Sequence, residues 1–234
     1  MSAPLVVAID GPAGSGKSTV GRAVACELAF ACLDTGAAYR ALAWVILDRG
    51  IDLDDENALV RVLDHGFALE IGVDPAEALV AVASANGMRT DITAAIREPR
   101  VTAVVSAVAR VSGVRQRLNA LFRDTIETSA QPGIVVEGRD ITTVVAPDAP
   151  VRVLLTASEE ARMTRRSAEI VDQSDAETRA RLRARDRADS QVASFMSAHD
   201  GVITIDTTDL DRGQTVAAVL DLVTTETARI AHGK

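Results

Sequence analysis

The sequence predicts an α/β fold, a parallel sheet flanked by helices with a small inserted subdomain and a helical lid. Three observations predict it. Short apolar runs bracketed by turn residues recur at 5–9, 31–33, 134–136, 151–155 and 202–205, the mark of strands buried on both faces of a parallel sheet. Stretches of helical period lie between and after them, at 17–29, 37–47, 101–128, 159–170, 177–188 and 213–230. Strands alternating with helices of a dozen or more residues imply right-handed crossovers, with helices packed on both sheet faces.

The elements follow in chain order. The apolar run 5–9 leads into glycines and then helix 17–29; strand 31–33 feeds helix 37–47. From 52 to 99 the alternation breaks, with short strands at 67–71 and 79–83 around the turn Gly72-Val73-Asp74-Pro75. We read this as an inserted subdomain between the two parts of the core, 1–51 and 100–234. Periodicity alone does not separate it from a long crossover carrying a hairpin. Helix 101–128 ends before the turn Gln131-Pro132-Gly133, which opens strand 134–136. Strand 151–155 precedes the lid, about 158–192, and strand 202–205 precedes the last helix.

With 234 residues, 47% hydrophobic and 25% charged, the chain has room for one substantial core and is neither disordered nor collagen-like. Its longest stretch without a charged residue, 78–88, falls short of the ~20 apolar residues that cross a bilayer, so no membrane partner is expected. The segment before Asp10 has no Lys or Arg to start a secretory signal, and a cytoplasmic location is the expectation. Cys26 and Cys32 lack metal-ligand spacing and read as buried free thiols. A monomer is expected, since no long exposed apolar stripe is evident.

A net charge of −8 disfavours a nucleic-acid partner, which needs a surplus of Lys and Arg over one face. The charge is uneven, however. Arg162, Arg165, Arg166, Arg179, Arg181, Arg183, Arg185 and Arg187 cluster among acidic residues at helical spacing. Such a mixed run by itself is a solvated helix face. The absence of lysine shifts the reading toward small phosphates, because the planar guanidinium fork matches phosphate oxygens.

The most specific motif is Gly11-Pro12-Ala13-Gly14-Ser15-Gly16-Lys17-Ser18, two glycines five apart followed by Lys and a hydroxyl residue. It stands between a strand and a helix, the context of a phosphate loop in a P-loop NTPase-type sheet. Glycines let successive N–H groups point into one concavity, the helix adds its dipole, and Lys17 follows charge on a transferring phosphoryl group. Ser18 offers its hydroxyl to Mg²⁺; Thr19 either touches a phosphate or faces solvent.

Two further strand ends carry charge. Asp34-Thr35-Gly36-Ala37-Ala38-Tyr39-Arg40 follows the second strand, and Arg40 there either forks onto an acceptor phosphate or makes an ion pair, with Asp34 or Thr35 as helix cap. Glu137-Gly138-Arg139-Asp140 ends the strand at 134–136. Charges placed after a buried strand are costly to desolvate unless paired, which points to a ligand or to an Arg139–Asp140 salt link.

Together these motifs resemble the nucleoside monophosphate kinases, specifically the bacterial cytidylate kinase family. The resemblance runs over essentially the whole chain and adds Ser106, Arg115 and the segment Arg185-Asp186-x-x-Asp189-Ser190. It implies ATP as donor with Mg²⁺, CMP or dCMP as acceptor, and an insert that enlarges the acceptor-binding region. Carried over, Thr35, Arg115 and Asp140 face cytosine, Tyr39 belongs to the acceptor-binding turn, and Arg40 and Arg139 hold the acceptor phosphate. Ser106, Arg185 and Asp189 address base or sugar, Glu137 lies beside ribose or phosphate, and Arg162, Arg165 and Arg166 belong to the lid over ATP. Lys17, Arg40, Arg139 and Arg185 are then the catalytic set.

The chain departs from that pattern twice. Gln191 and Val192 stand where the family usually has an Arg two residues after the Asp-Ser pair, and Thr142 stands where a glycine is common. Kinases of shikimate, dephospho-coenzyme A or UMP share loop and fold. A guanine-specific switch ordinarily carries an Asn-Lys-x-Asp element, and the chain has no Asn-Lys pair.

Overall fold

The computed structural model describes residues 4–84, 87–169, 175–190, 195 and 197–232. Backbone contacts divide the chain into two compact units, Met1–Cys32 with Ser129–Lys234, and Leu33–Thr128.

The first unit is built on a five-stranded sheet with strands β1 (Leu5–Asp10), β2 (Ala31–Asp34, ending past the unit boundary), β6 (Gly133–Gly138), β7 (Val151–Thr156) and β8 (Ile203–Asp206). Their order is β2-β6-β1-β7-β8. Parallel pairing joins β1 to β6 and to β7, and β7 to β8, with Asp10 opposite Gly138 and Leu154. The apolar runs of the first four strands are buried as a parallel sheet demands: Val7, Ile9, Val135, Val153 and Leu155 share one core with Val20 and Val24 of α1 (Lys17–Leu28) and Val219 and Val223 of α8 (Arg212–His232). The run at 202–205 is not, because β8 is the edge strand and Ile203 is 41% exposed, which corrects the expectation of burial on both faces. In α1 the buried positions 17, 20, 21, 24 and 25 trace one helical stripe. Cys26 lies off that stripe and is exposed, which corrects the expectation of two buried thiols; Cys32, on β2, is buried. Helices α6 (Glu159–Glu169) and α7 (Asp175–Asp189) fall in the expected lid segment.

The second unit holds α2 (Thr35–Asp48), α3 (Glu56–His65), the antiparallel sheet β3-β4-β5 (Phe67–Ile71, Val80–Ser84, Arg89–Asp91), α4 (Pro99–Arg110) and α5 (Ser112–Glu127). The hairpin around 72–75 is present; the third strand and α3 were not expected. The single helix expected at 101–128 is two, because Val111 adopts an extended backbone (φ −70°, ψ 113°) and breaks the ladder. Gly113 packs there so closely that a Cβ would lie 2.7 Å from Val60. The Arg115 guanidinium donates to the carbonyls of Ala109 and Arg110, both at 2.8 Å, and so caps the end of α4.

Candidate active site

The loop Gly11–Ser18 leaves the carboxyl end of β1 and enters α1. Gly11 has φ +151°, and a Cβ there would stand 2.1 Å from the Leu155 carbonyl oxygen, so β7 leaves room for backbone only. Gly14 has φ +78° and lies against the Arg162 backbone, where a Cβ would meet Arg162 atoms at 3.1 Å. The loop is thus packed between β7 and α6. Lys17 is buried and donates to the Pro12 carbonyl at 2.9 Å, which curls its ammonium back over the loop. Ser18 and Thr19 are exposed on the first turn of α1.

Two arginines and two carboxylates meet at the loop. Buried Arg162 donates to the Ala13 carbonyl at 3.0 Å and to the Asp186 carboxylate, whose other oxygen accepts from the Ala13 amide at 3.2 Å. Arg139, just after β6, donates through Nε to Asp189 at 3.0 Å and through its fork to the Gly11 carbonyl. The Arg139 guanidinium also lies 4.8 Å from the centre of the Phe195 ring. It pairs with the carboxylate of Asp189 on α7, a partner 50 positions away. Asp140 is half-buried, and its carbonyl accepts from Val144 and Val145. Glu137 is buried at the end of β6.

Other arginines of the run have structural partners. Arg165 is tied to Thr207, and Arg183 and Arg179 reach Glu159 at 2.8 and 3.8 Å. The side chains of Arg166 and Arg185, and residues Gln191 and Val192, lie outside the described residues.

In the second unit, Asp34 caps α2 by accepting from the Ala37 amide at 2.9 Å and also pairs with Arg40 at 2.9 Å. The cap and ion pair weighed for this turn are therefore both formed. Thr35 is buried, Ser106 is half-buried on α4, and the Tyr39 ring lies 6.3 Å from Phe122 at 56°.

The sequence reading missed two residues of the first unit. Asp10 accepts from both amides and the hydroxyl after Asp140, and Asp186 takes a loop amide. Both are charges placed beside a motif, the signal that had singled out Glu137 and Arg139.

The residues present fit a triphosphate and its metal. Ser15 Oγ in the loop and Arg162 Nε beside it are buried without a hydrogen-bond partner among the described residues, two polar atoms that an anion's oxygens would satisfy. Among the described residues no group of His, Cys, Asp and Glu forms a ready metal cage. An exposed Ser18 hydroxyl suits Mg²⁺, which takes few protein ligands and completes its shell with phosphate and water oxygens. No helix among the described residues is long and apolar enough to cross a membrane.

A family profile described as Cytidylate kinase matches residues 7–225. The chain is 44% identical to a cytidylate kinase of Streptomyces avermitilis over 94% of this chain and 92% of that one. To a cytidylate kinase of Cutibacterium acnes it is 43% identical, over 95% and 97% of the two chains. Among solved structures, an uncharacterized protein from Eubacterium ventriosum superposes with a TM-score of 0.53 at 10% identity, covering 94% of this chain and 98% of that one, a likeness of fold. With a phosphate loop, a Gly-Arg-Asp strand end beside it and a profile match over nearly the full length, the chain belongs to the cytidylate kinase family.

Proposed function

We propose that this protein transfers the γ-phosphoryl group of ATP to CMP or dCMP. The observation that carries this reading is the adjacency of the two charged strand ends to which the sequence assigns phosphates. The phosphate loop follows β1, the Gly138-Arg139-Asp140 turn follows β6, and Asp10 and Gly138 are register partners, with Arg139 reaching the Gly11 carbonyl.

ATP phosphates would lie on the amides of residues 13–18, with Lys17 and Arg162 offsetting the charge that spreads over the transferring group. Mg²⁺, held on the protein side by Ser18, would supply charge neutralisation between phosphate oxygens. The acceptor phosphate is already ionised near neutral pH, so no strong general base is needed. What the chain contributes is positioning and fixed positive charge. Arg139 would take the acceptor phosphate, exchanging its bond to Asp189 for phosphate oxygens. Asp140 would accept from the exocyclic amine of cytosine, a group that uracil replaces with an oxygen, which favours CMP over UMP. Thr35, Tyr39, Arg40, Ser106 and Arg115 are assigned to the acceptor by the resemblance, as are Glu137, Arg185 and Asp189; Arg166 is assigned to ATP. A lid over the nucleotide would exclude water and suppress ATP hydrolysis. Small-molecule substrates are the partners this reading needs; a monomer and a cytoplasmic location are consistent with it.

Coupled ADP release with ATP and a panel of acceptors tests the reading. CMP and dCMP are expected to give acceptor-dependent turnover, with UMP well behind. Turnover with shikimate, dephospho-coenzyme A or UMP alone would reject it.

A further inference from the structure

We propose that Asp10 is a positioning residue for the acceptor end of the site, acting through the turn that presents Arg139 and Asp140, with Thr142 as its side-chain partner. The inference rests on the reading of Arg139 as an acceptor-phosphate ligand.

Asp10 is the last residue of β1 and is 2% exposed. A carboxylate so placed is expensive to desolvate unless donors surround it. Its oxygens accept from the Ile141 amide at 2.9 Å, the Thr142 amide at 2.8 Å and the Thr142 hydroxyl at 2.7 Å. All three donors come from the two residues that follow Asp140. Those residues open a single π-helical turn, Ile141–Val145, an uncommon element that recurs at functional sites. The carboxylate therefore fixes where the chain goes once β6 has ended at Gly138, and so where Arg139 and Asp140 stand.

Asp10 also precedes Gly11 directly, and the Gly11 carbonyl accepts from the Arg139 guanidinium. One residue is thus covalently joined to the donor loop and hydrogen-bonded to the acceptor turn. Thr142 does more than fill the place where a glycine is common. Its hydroxyl adds a third donor to a buried charge, and it is itself 3% exposed. A carboxylate needed only to stabilise the sheet would affect both substrates alike. One that orients the turn acts first on the acceptor.

The test compares KM for CMP and KM for ATP in Asp10→Asn, Thr142→Val and Thr142→Ser, with thermal melting alongside. Thr142→Val removes the hydroxyl at similar volume and is expected to raise KM for CMP about 5-fold, the scale of one buried hydrogen bond, with KM for ATP unchanged. Thr142→Ser is expected to restore the wild-type value. Asp10→Asn leaves one carbonyl oxygen for three donors and is expected to raise KM for CMP about 10-fold or more. If the two KM values move together, or if only the melting temperature falls, the proposal is overturned. Should Asp10→Asn not fold, the Thr142 pair decides. Arg139→Ala separates the two readings. If it leaves KM for CMP unchanged, the assignment of Arg139 fails; if it raises that KM while Thr142→Val does not, the positioning role fails.

Discussion

The carboxylate of Asp186 accepts a hydrogen bond from the Ala13 amide at 3.2 Å, so an acidic side chain of α7 stands at an N–H group of the phosphate loop. The same carboxylate holds Arg162, which in turn donates to the Ala13 carbonyl. A carboxylate of α7 thus engages groups suited to a nucleotide phosphate.

On the proposed reading, ATP phosphate takes the Ala13 amide and Asp186 gives up this place. Asp186→Asn, which removes the charge but keeps the shape, is expected to lower the dissociation constant for ATP about 5-fold, the scale of one charge-assisted hydrogen bond to a loop amide. Isothermal titration with a non-hydrolysable ATP analogue reads this directly. Weaker binding in the variant would mean that Asp186 supports the bound nucleotide.

Lys17 is held by the Pro12 carbonyl at 2.9 Å and places a positive charge at the loop. Lys17→Ala is expected to cut turnover by roughly 10³-fold, the loss seen when one preorganised transition-state donor is removed. Its circular dichroism and melting profile are expected to stay close to wild type, because the core under α1 is formed by Val20 and Val24. Turnover at the wild-type rate would remove the loop from the chemistry.

In the second unit, Arg117 forks onto Asp64 and joins α5 to α3. The hydrogen bond from Arg117 holds the Asp64 carboxyl below its ordinary value of 3.8. Because the folded value is the depressed one, the pair's contribution is fully present above about pH 5 and is lost as pH falls below 3.8. Asp64→Asn is expected to melt at a lower temperature than wild type at pH 7, with the gap narrowing as pH falls below 3.8. A gap that persists unchanged at acid pH would show that the Asp64 charge is not its source.

The legible parts of this molecule are those encoded by neighbours in sequence. Val7 and Ile9, or Val153 and Leu155, are buried strand residues within runs that announce themselves, and the phosphate loop is a contiguous motif. The break at Val111 was not legible, since the residues around it keep helical spacing and only the extended backbone at Val111 separates α4 from α5. Nor was α3 read, although Asp55 caps it and Leu59 and Val62 form its buried side. The bond from Thr142 to Asp10 spans 132 positions, and the pairing of Arg139 with Asp189 spans 50; neither spacing carries a local signature. The arginine run was ambiguous for a physical reason. Arg183 and Arg179 do pair with Glu159 as a mixed-charge face would, while Arg162 serves the loop.

Label transfer tests the account at its centre. With ATP carrying ³²P at the γ position and CMP in excess, a single turnover is expected to place the label in CDP, with little free phosphate formed, and Lys17→Ala is expected to yield neither. Label released chiefly as inorganic phosphate, or incorporated into another acceptor while CMP stays unlabelled, would contradict it.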